Sequence, residues 1–120
     1  MVAKLLWIAS GGAIGAVLRY LLVAGIHRFA GAQYPWGTFG VNVVGSLAIG
    51  LVWGIAERTP LSAGAAAFLF IGVLGAFTTF STFSLETVDL YREGRHFAAL
   101  LNLLLSNAVC IAAAFGGLKL

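Results

Sequence analysis

The chain has 120 residues, of which 61% are hydrophobic and only 9% charged, and its net charge is +3. A typical soluble domain carries about 25% charged residues. Seven basic and four acidic residues cannot cover the surface of a water-soluble domain of this size. The composition therefore excludes a soluble fold and indicates an integral membrane protein. The basic residues stand singly along the chain, which argues against a nucleic-acid partner.

Four apolar stretches are long enough to cross a bilayer, which takes roughly 20 helical residues. They run from Leu5 to Ile26, from Thr38 to Ala56, from Ala63 to about Tyr91 and from Phe97 to Leu118. Tryptophan and tyrosine residues, which prefer the lipid headgroup region, lie near the ends of these stretches. The sequence thus predicts an all-α, multi-pass membrane protein with a single four-span domain over residues 1–120.

The first stretch carries Arg19, the only charged residue well inside a predicted span. Charges within a membrane are costly and mark functional positions by default. Two roles stay open: Arg19 faces an anion or an aqueous vestibule, or it pairs with carbonyl groups at a helix end. Gly11 and Gly15, like Gly50 and Gly54 in the second stretch, form small-xxx-small patterns for close helix packing, between subunits or within one.

Isolated polar side chains occur inside the second and fourth stretches. Asn42 places an amide among apolar residues, where it suits hydration of an anion and equally suits a hydrogen bond between helices, worth about 1 kcal/mol. Asn102, Ser106 and Cys110 follow at intervals of four residues and share one helix face. That polar strip suits a pore wall or a sealed helix interface.

The third stretch is too long for one simple span and changes composition midway. Gly72 and Gly75 precede five hydroxyl residues between Thr78 and Ser84. Irregular backbone at membrane depth is tolerated only where protein, water or an ion satisfies it. The pattern predicts a helix that is broken near residues 75–79, with free carbonyl groups there and a new helix N-terminus just after. The alternative is a continuous helix whose hydroxyl groups bond to the preceding turn.

Two phenylalanines lie within this hydroxyl-rich segment, and a glutamate follows it. Phe80 and Phe83 are three residues apart and share a face of the predicted helix. Aromatic rings are positive at their edges, so edges turned toward a pathway stabilise an anion; ordinary core packing explains the same spacing. Glu86, three residues further on, belongs to a pore mouth or to the headgroup region.

The charges that flank the spans give no preferred orientation. With four spans both termini lie on one side of the membrane, and the basic residues divide evenly between the sides: Lys4, Arg58 and Lys119 on one, Arg28, Arg92 and Arg95 on the other. The positive-inside rule is therefore silent. A chain without charge bias inserts in both orientations, and the hypothesis that follows is an antiparallel, dual-topology homodimer.

Three segments together closely resemble the Fluc, or CrcB, family of microbial fluoride channels. They are GGAIGAVLRY at 11–20, Gly37-Thr38 with Val41-Asn42, and GVLGAFTTFSTF at 72–83, and the resemblance covers nearly the whole chain. It implies a channel of the bacterial inner membrane that gives passive, selective efflux of fluoride. It also implies an antiparallel homodimer with two pores and a structural sodium ion at the dimer centre.

The resemblance assigns roles to individual residues. The sodium ligands are the backbone carbonyl groups of Gly75 and Thr78, while Asn42, Phe80 and Phe83 line the pore. The last span departs from relatives that have a tyrosine and two serines at the aligned polar positions. Combined with the polar patterns above, the expected fluoride pathway comprises Asn42, Thr79, Phe80, Ser81, Thr82, Phe83, Asn102 and Ser106, with Arg19 and Glu86 as vestibule or structural charges.

Two other functions suit a four-span chain of this size. One is a small dual-topology exporter of drugs or cations, and the other is a membrane subunit that transports nothing. Proton-coupled exporters of cations need a membrane-buried carboxylate, yet no acidic residue precedes Glu57 and none lies deep in a span. The sequence offers no set of nucleophile, base and orienting group, so we do not expect an enzyme.

Overall fold

The computed structural model describes residues 1–120, and all of its regular structure is helical. Four helical stretches are long and apolar enough to cross a membrane: Val2–Ala30, Trp36–Arg58, Ala63–Arg92 and His96–Lys119. The four predicted spans are confirmed. Most of them extend beyond the predicted bounds because a helix continues into the polar headgroup region, where hydropathy no longer marks it.

Six α-helices and one π-helical segment make up the chain. In chain order they are α1 (Val2–Ala30), α2 (Trp36–Arg58), α3 (Ala63–Ala66), the π-helical segment Ala67–Leu74, α4 (Gly75–Phe77), α5 (Phe80–Arg92) and α6 (His96–Lys119). The third span consists of α3, the π-helical segment, α4 and α5. π-Helical structure is rare in proteins, and π-bulges within α-helices are frequent at functional sites. The apolar residues of the π-helical segment gave no sign of it in the sequence.

Two threonines separate α4 from α5. Thr78 and Thr79 adopt extended backbone angles, with φ/ψ of −89°/158° and −149°/113°. The backbone N–H and the hydroxyl of Thr78 both donate to the carbonyl of Leu74, at 3.2 and 3.1 Å, and so complete the end of α4. The hydroxyl oxygen of Thr79 accepts a hydrogen bond from the N–H of Thr82 at 3.2 Å and caps the start of α5.

Glycines on α1 allow the third span to approach closely. A Cβ atom on Gly15 would lie 2.1 Å from the carbonyl oxygen of Val73, and one on Gly11 would lie 2.4 Å from that of Phe68. Such distances leave no room for a methyl group. Both glycines therefore pack α1 directly against the backbone of the π-helical segment.

The second glycine pair joins α2 to α6 in the same way. A Cβ on Gly50 would lie 2.1 Å from the carbonyl oxygen of Ala114, and one on Gly54 would lie 2.9 Å from that of Leu118. Both small-xxx-small patterns are thus used within one chain. The four glycines are buried within the chain. They are therefore not available to pack against a second subunit.

Few side chains form a buried core, and most large apolar side chains lie on the outer surface. The molecule is 48 Å long and 29 by 24 Å across, so it is an elongated bundle whose surface suits lipid. A water-soluble protein would not expose so much apolar surface.

Candidate functional site

A cavity of about 330 Å³ lies where α2, α5 and α6 meet the interruption of the third span. Residues distant in sequence converge on its wall. Six of those expected to line a pathway or bind an ion are among them: Asn42, Thr78, Thr79, Phe80, Phe83 and Ser106. This cavity is the candidate functional site.

Asn42 of α2 pairs with the backbone of a single residue in the interruption. Its Nδ2 donates to the carbonyl oxygen of Thr79 at 3.0 Å, and the N–H of Thr79 donates to Asn42 Oδ1 at 2.8 Å. The amide thus joins two spans and still lines the cavity. A side-chain amide has two N–H donors, so one of them is left for the cavity. The two roles that the sequence left open for Asn42 are compatible.

Two backbone N–H groups at the interruption donate to side-chain oxygens, and not to the carbonyl groups that they would reach in a continuous helix. In an α-helix each N–H donates to the carbonyl four residues earlier. The N–H of Thr79 would therefore reach Gly75, but it donates to Asn42 instead. The N–H of Thr82 would reach Thr78, but it donates to the hydroxyl oxygen of Thr79. The carbonyl groups of Gly75 and Thr78 have lost their regular helical donors.

The carbonyl between these two positions has a different partner. Arg19 Nε donates to the carbonyl oxygen of Ala76 at 3.0 Å. Arg19 is half-buried and does not line the cavity. The sequence left two roles open for Arg19. Its observed contact is with a carbonyl group at a helix end, which corresponds to the second of them.

The two phenylalanines of α5 both line the cavity but differ in their surroundings. Their ring centroids are 5.4 Å apart and their planes are tilted by 47°. Phe83 is only 6% exposed, whereas Phe80 is 74% exposed. Phe83 is therefore fixed by packing within the chain, and the Phe80 ring is left without a packing partner over most of its surface.

The polar strip on α6 divides between two uses. Asn102 is 1% exposed; its Nδ2 donates to Thr87 Oγ1 at 2.9 Å, and its Oδ1 accepts from Ser106 Oγ at 3.2 Å. Thr87 Oγ1 in turn donates to the carbonyl of Phe83 at 2.8 Å. The structure does not bring Asn102 to the cavity wall, because its amide joins α6 to α5. Ser106 and Cys110 do line the cavity.

Three other expected residues lie away from this cavity. Ser81 is exposed, and Thr82 is bound to Thr79 through its hydroxyl at 2.9 Å. Glu86 lines a second cavity of about 630 Å³ together with His27. Glu86 Oε1 and His27 Nε2 are buried there without a hydrogen-bond partner.

Sequence reasoning missed two polar residues on the wall of the first cavity, Ser46 and Asn107. A signal for Ser46 was present, because it follows Asn42 by four residues and so shares its helix face. Asn107 follows Ser106 directly, and helical spacing would have placed it on a different face. Asn107 Nδ2 donates to the carbonyl oxygen of Leu103 in its own helix at 2.7 Å.

Together the fold and the cavity define a small multi-pass membrane protein with a polar site at an interrupted helix. Its sequence matches the family described as CrcB-like protein, Camphor Resistance (CrcB), over residues 6–118. The chain belongs to this family, and the resemblance noted in its sequence is confirmed.

Several bacterial relatives bear the name fluoride-specific ion channel FluC. The relative from Geobacter sulfurreducens is 48% identical over 115 residues, which cover 95% of this chain and 93% of that protein. The relative from Agrobacterium fabrum is 49% identical over 114 residues, with 94% and 91% covered. The relative from Magnetococcus marinus is 45% identical over 116 residues, with 96% and 94% covered. The similarity therefore extends over almost the full length of both chains.

Proposed function

We propose that this protein is a fluoride-selective ion channel of the bacterial cytoplasmic membrane, which lowers cytoplasmic fluoride by passive efflux. The observation that carries this proposal is the near full-length similarity to relatives named fluoride-specific ion channel FluC. A drug exporter and a subunit that transports nothing are not favoured. The protein is a channel and not an enzyme.

The cavity has the chemistry that a fluoride pathway needs. Fluoride is small and strongly hydrated, so a pore must replace its water with fixed donors and exclude larger anions. The free N–H of Asn42 is a candidate donor on the wall. The Ser106 hydroxyl adds a polar group there, although its proton is donated to Asn102. The positive ring edges of Phe80 and Phe83 add anion stabilisation. Several weak sites let the ion both enter and leave.

A structural sodium ion is part of the proposal. Hard cations take oxygen ligands, and the carbonyl groups of Gly75 and Thr78 fit that requirement because both have lost their regular helical donors. These two groups would hold the ion. When bound, it supplies a fixed positive charge that balances the carbonyl dipoles. The interruption at Thr78 and Thr79 is, in this proposal, the functional break of the third span.

The assembly proposed is an antiparallel homodimer with two pores. The even division of flanking basic residues supports insertion in both orientations. The ring of Phe80, 74% exposed beside the cavity, supports a second subunit at this face. Two carbonyl groups from each chain then provide four oxygen ligands around one sodium ion on the two-fold axis.

Fluoride release from proteoliposomes tests the function. Liposomes loaded with potassium fluoride are diluted into fluoride-free medium, valinomycin is added to balance charge, and a fluoride electrode follows release. We expect fast release without a proton gradient, and no comparable release of chloride from matched liposomes. Release that needs a proton gradient would indicate an exporter. Release no faster than from protein-free liposomes would indicate a subunit that transports nothing.

Two substitutions test the proposed pathway in the same assay. We expect Phe80→Ile to lower fluoride release because it removes a ring edge, and Asn42→Asp to lower it because a carboxylate repels the anion. Unchanged release would remove that residue from the pathway. Exposed Ser10, which bonds only to carbonyl groups of its own helix, provides a matched control as Ser10→Ala.

The sodium ion and the dimer have their own tests. Crosslinking of the reconstituted protein should give a two-chain species. Labelling of Lys4→Cys and of Arg28→Cys, each combined with Cys110→Ala, should show each site accessible from both sides of the membrane. Replacing sodium with N-methylglucamine on both sides should lower fluoride release. Release that is independent of sodium would contradict the structural ion and leave the channel function in place.

A further inference from the structure

The interruption of the third span keeps its shape although a regular helical alternative lies next to it. Thr79 has extended backbone angles, while the segments on either side are helical. At membrane depth an unsatisfied backbone N–H or carbonyl is strongly unfavourable. The nearest regular acceptor for the N–H of Thr79 is the carbonyl of Gly75, and that hydrogen bond would begin to close the helix.

The side chain of Asn42 prevents the helix from closing at Thr79. It accepts from the N–H of Thr79 at 2.8 Å and donates to its carbonyl at 3.0 Å. Both backbone groups of Thr79 are thus satisfied in the extended conformation, as they would be by a partner strand. A single side chain supplies both halves of that pairing because an amide carries a donor and an acceptor side by side.

The surface of α2 is shaped to deliver Asn42 to this position. Gly45, three residues further along α2, faces the same segment, and a Cβ on it would lie 2.2 Å from Thr78 Cγ2. Positions three apart share a helix face. The missing side chain of Gly45 therefore lets the interruption approach α2 closely enough for Asn42 to reach Thr79.

We infer that Asn42 is a positioning residue that holds the third span open at Thr79. By taking the N–H of Thr79, it leaves the carbonyl of Gly75 free of its helical donor. The inference deepens the proposed function and rests on it, since Gly75 is one of the proposed sodium ligands. It also means that Asn42 acts on the pathway partly through the backbone and not only through its remaining N–H.

The carbon chemical shifts of Thr79 test this inference, because they report whether its backbone is extended or helical. The protein, labelled with ¹³C and ¹⁵N, is studied by NMR in lipid bilayers as wild type, Asn42→Leu, Asn42→Ala and Asn42→Asp. We expect extended shifts in the wild type and a move toward helical shifts in both the Leu and Ala variants. Ser10→Ala serves as the control and should leave Thr79 unchanged.

Asn42→Asp separates positioning from conduction. Its carboxyl group still accepts from the N–H of Thr79, so we expect extended shifts at Thr79 together with reduced fluoride release. The inference is overturned if Thr79 keeps extended shifts in a folded Leu or Ala variant, or if the Asp variant becomes helical there. A wild-type protein that releases no fluoride would refute the proposed function instead, and the chemical shifts would still decide the role of Asn42.

Discussion

Arg19 donates a hydrogen bond from Nε to the carbonyl oxygen of Ala76 at 3.0 Å, and so joins the middle of α1 to the end of α4. In a continuous helix that carbonyl would accept from the N–H of Phe80, which instead opens α5. Arg19 follows Gly11 and Gly15 at intervals of four residues, so the face of α1 that packs on the third span ends in a guanidinium group. The guanidinium group, whose charge is costly in a membrane, therefore donates to a carbonyl group that lacks its helical donor.

We predict that Arg19→Gln destabilises the protein by about 2 kcal/mol, because a hydrogen bond from a charged donor contributes roughly 1.5–3 kcal/mol. Unfolding in detergent, followed by circular dichroism, measures the change. Arg28→Gln is the matched control, since Arg28 is exposed in the last turn of the same helix. Its favourable interaction with the helix C-terminus is worth less than about 1 kcal/mol. Equal losses of stability in both variants would show that the hydrogen bond to Ala76 does not stabilise the protein.

Gly45 provides a steric test of the contact between α2 and the interruption. An added Cβ would lie 2.2 Å from Thr78 Cγ2, so Gly45→Ala should push the two segments apart and weaken the pairing of Asn42 with Thr79. We expect loss of most fluoride release per folded protein in the liposome assay. A Cβ on Gly12 meets nothing within 4 Å, so Gly12→Ala should retain release. A Gly45→Ala protein with wild-type release would contradict the close approach as a functional requirement.

The number and type of the spans were predictable because hydropathy alone determines them. An apolar stretch such as 97–118 is stable in lipid only as a helix, because a helix satisfies all of its backbone hydrogen bonds internally. Helix ends were less predictable, since α1 continues through the polar residues His27 and Arg28 to Ala30, beyond the predicted end of the span. The π-helical segment Ala67–Leu74 was not predictable, because its apolar residues suit an α-helix equally well.

Site residues were predictable as candidates but not as partners. Helical spacing grouped Asn102 and Ser106 on one face, yet only the packing of α6 on α5 decides that Asn102 is buried against Thr87 while Ser106 reaches the cavity. The pairing of Asn42 with Thr79 joins residues 37 apart in sequence. No periodicity within one helix encodes such a contact between spans.

The α6 strip gives a prediction that separates stability from conduction. Asn102→Ala leaves the hydroxyl of Ser106 without its acceptor inside the protein, and it should destabilise the fold by roughly 1–3 kcal/mol. Ser106→Ala removes one of the two hydrogen bonds that Asn102→Ala removes, so its loss of stability should be smaller, but it also removes a hydroxyl group from the cavity wall. We therefore expect the larger stability loss in Asn102→Ala and the larger loss of fluoride release per folded protein in Ser106→Ala. The reverse ranking would contradict the division of the strip.

We expect Tyr34 to make the stability of the protein fall with rising pH in the alkaline range. It lies in the segment between α1 and α2, its ring packs on Trp36 with centroids 4.6 Å apart, and its hydroxyl is buried without a hydrogen-bond partner. Burial raises the pKa of the Tyr34 phenol. The folded protein therefore keeps this proton to a higher pH than the unfolded chain, in which a tyrosine ionises near about pH 10. The stabilisation is fully present below that pH and is lost as the pH rises toward the raised value.

We predict that Tyr34→Phe flattens the fall in thermal stability above about pH 10, because the variant has no proton to lose at this position. At neutral pH the variant should be at least as stable as the wild type, since the buried hydroxyl makes no hydrogen bond and its removal ends a desolvation cost. Thermal unfolding in detergent from neutral to alkaline pH measures both effects. Tyr20→Phe is the control, because Tyr20 is exposed and should follow the wild-type curve. If wild type and Tyr34→Phe lose stability in parallel, the ionisation of Tyr34 is not coupled to folding.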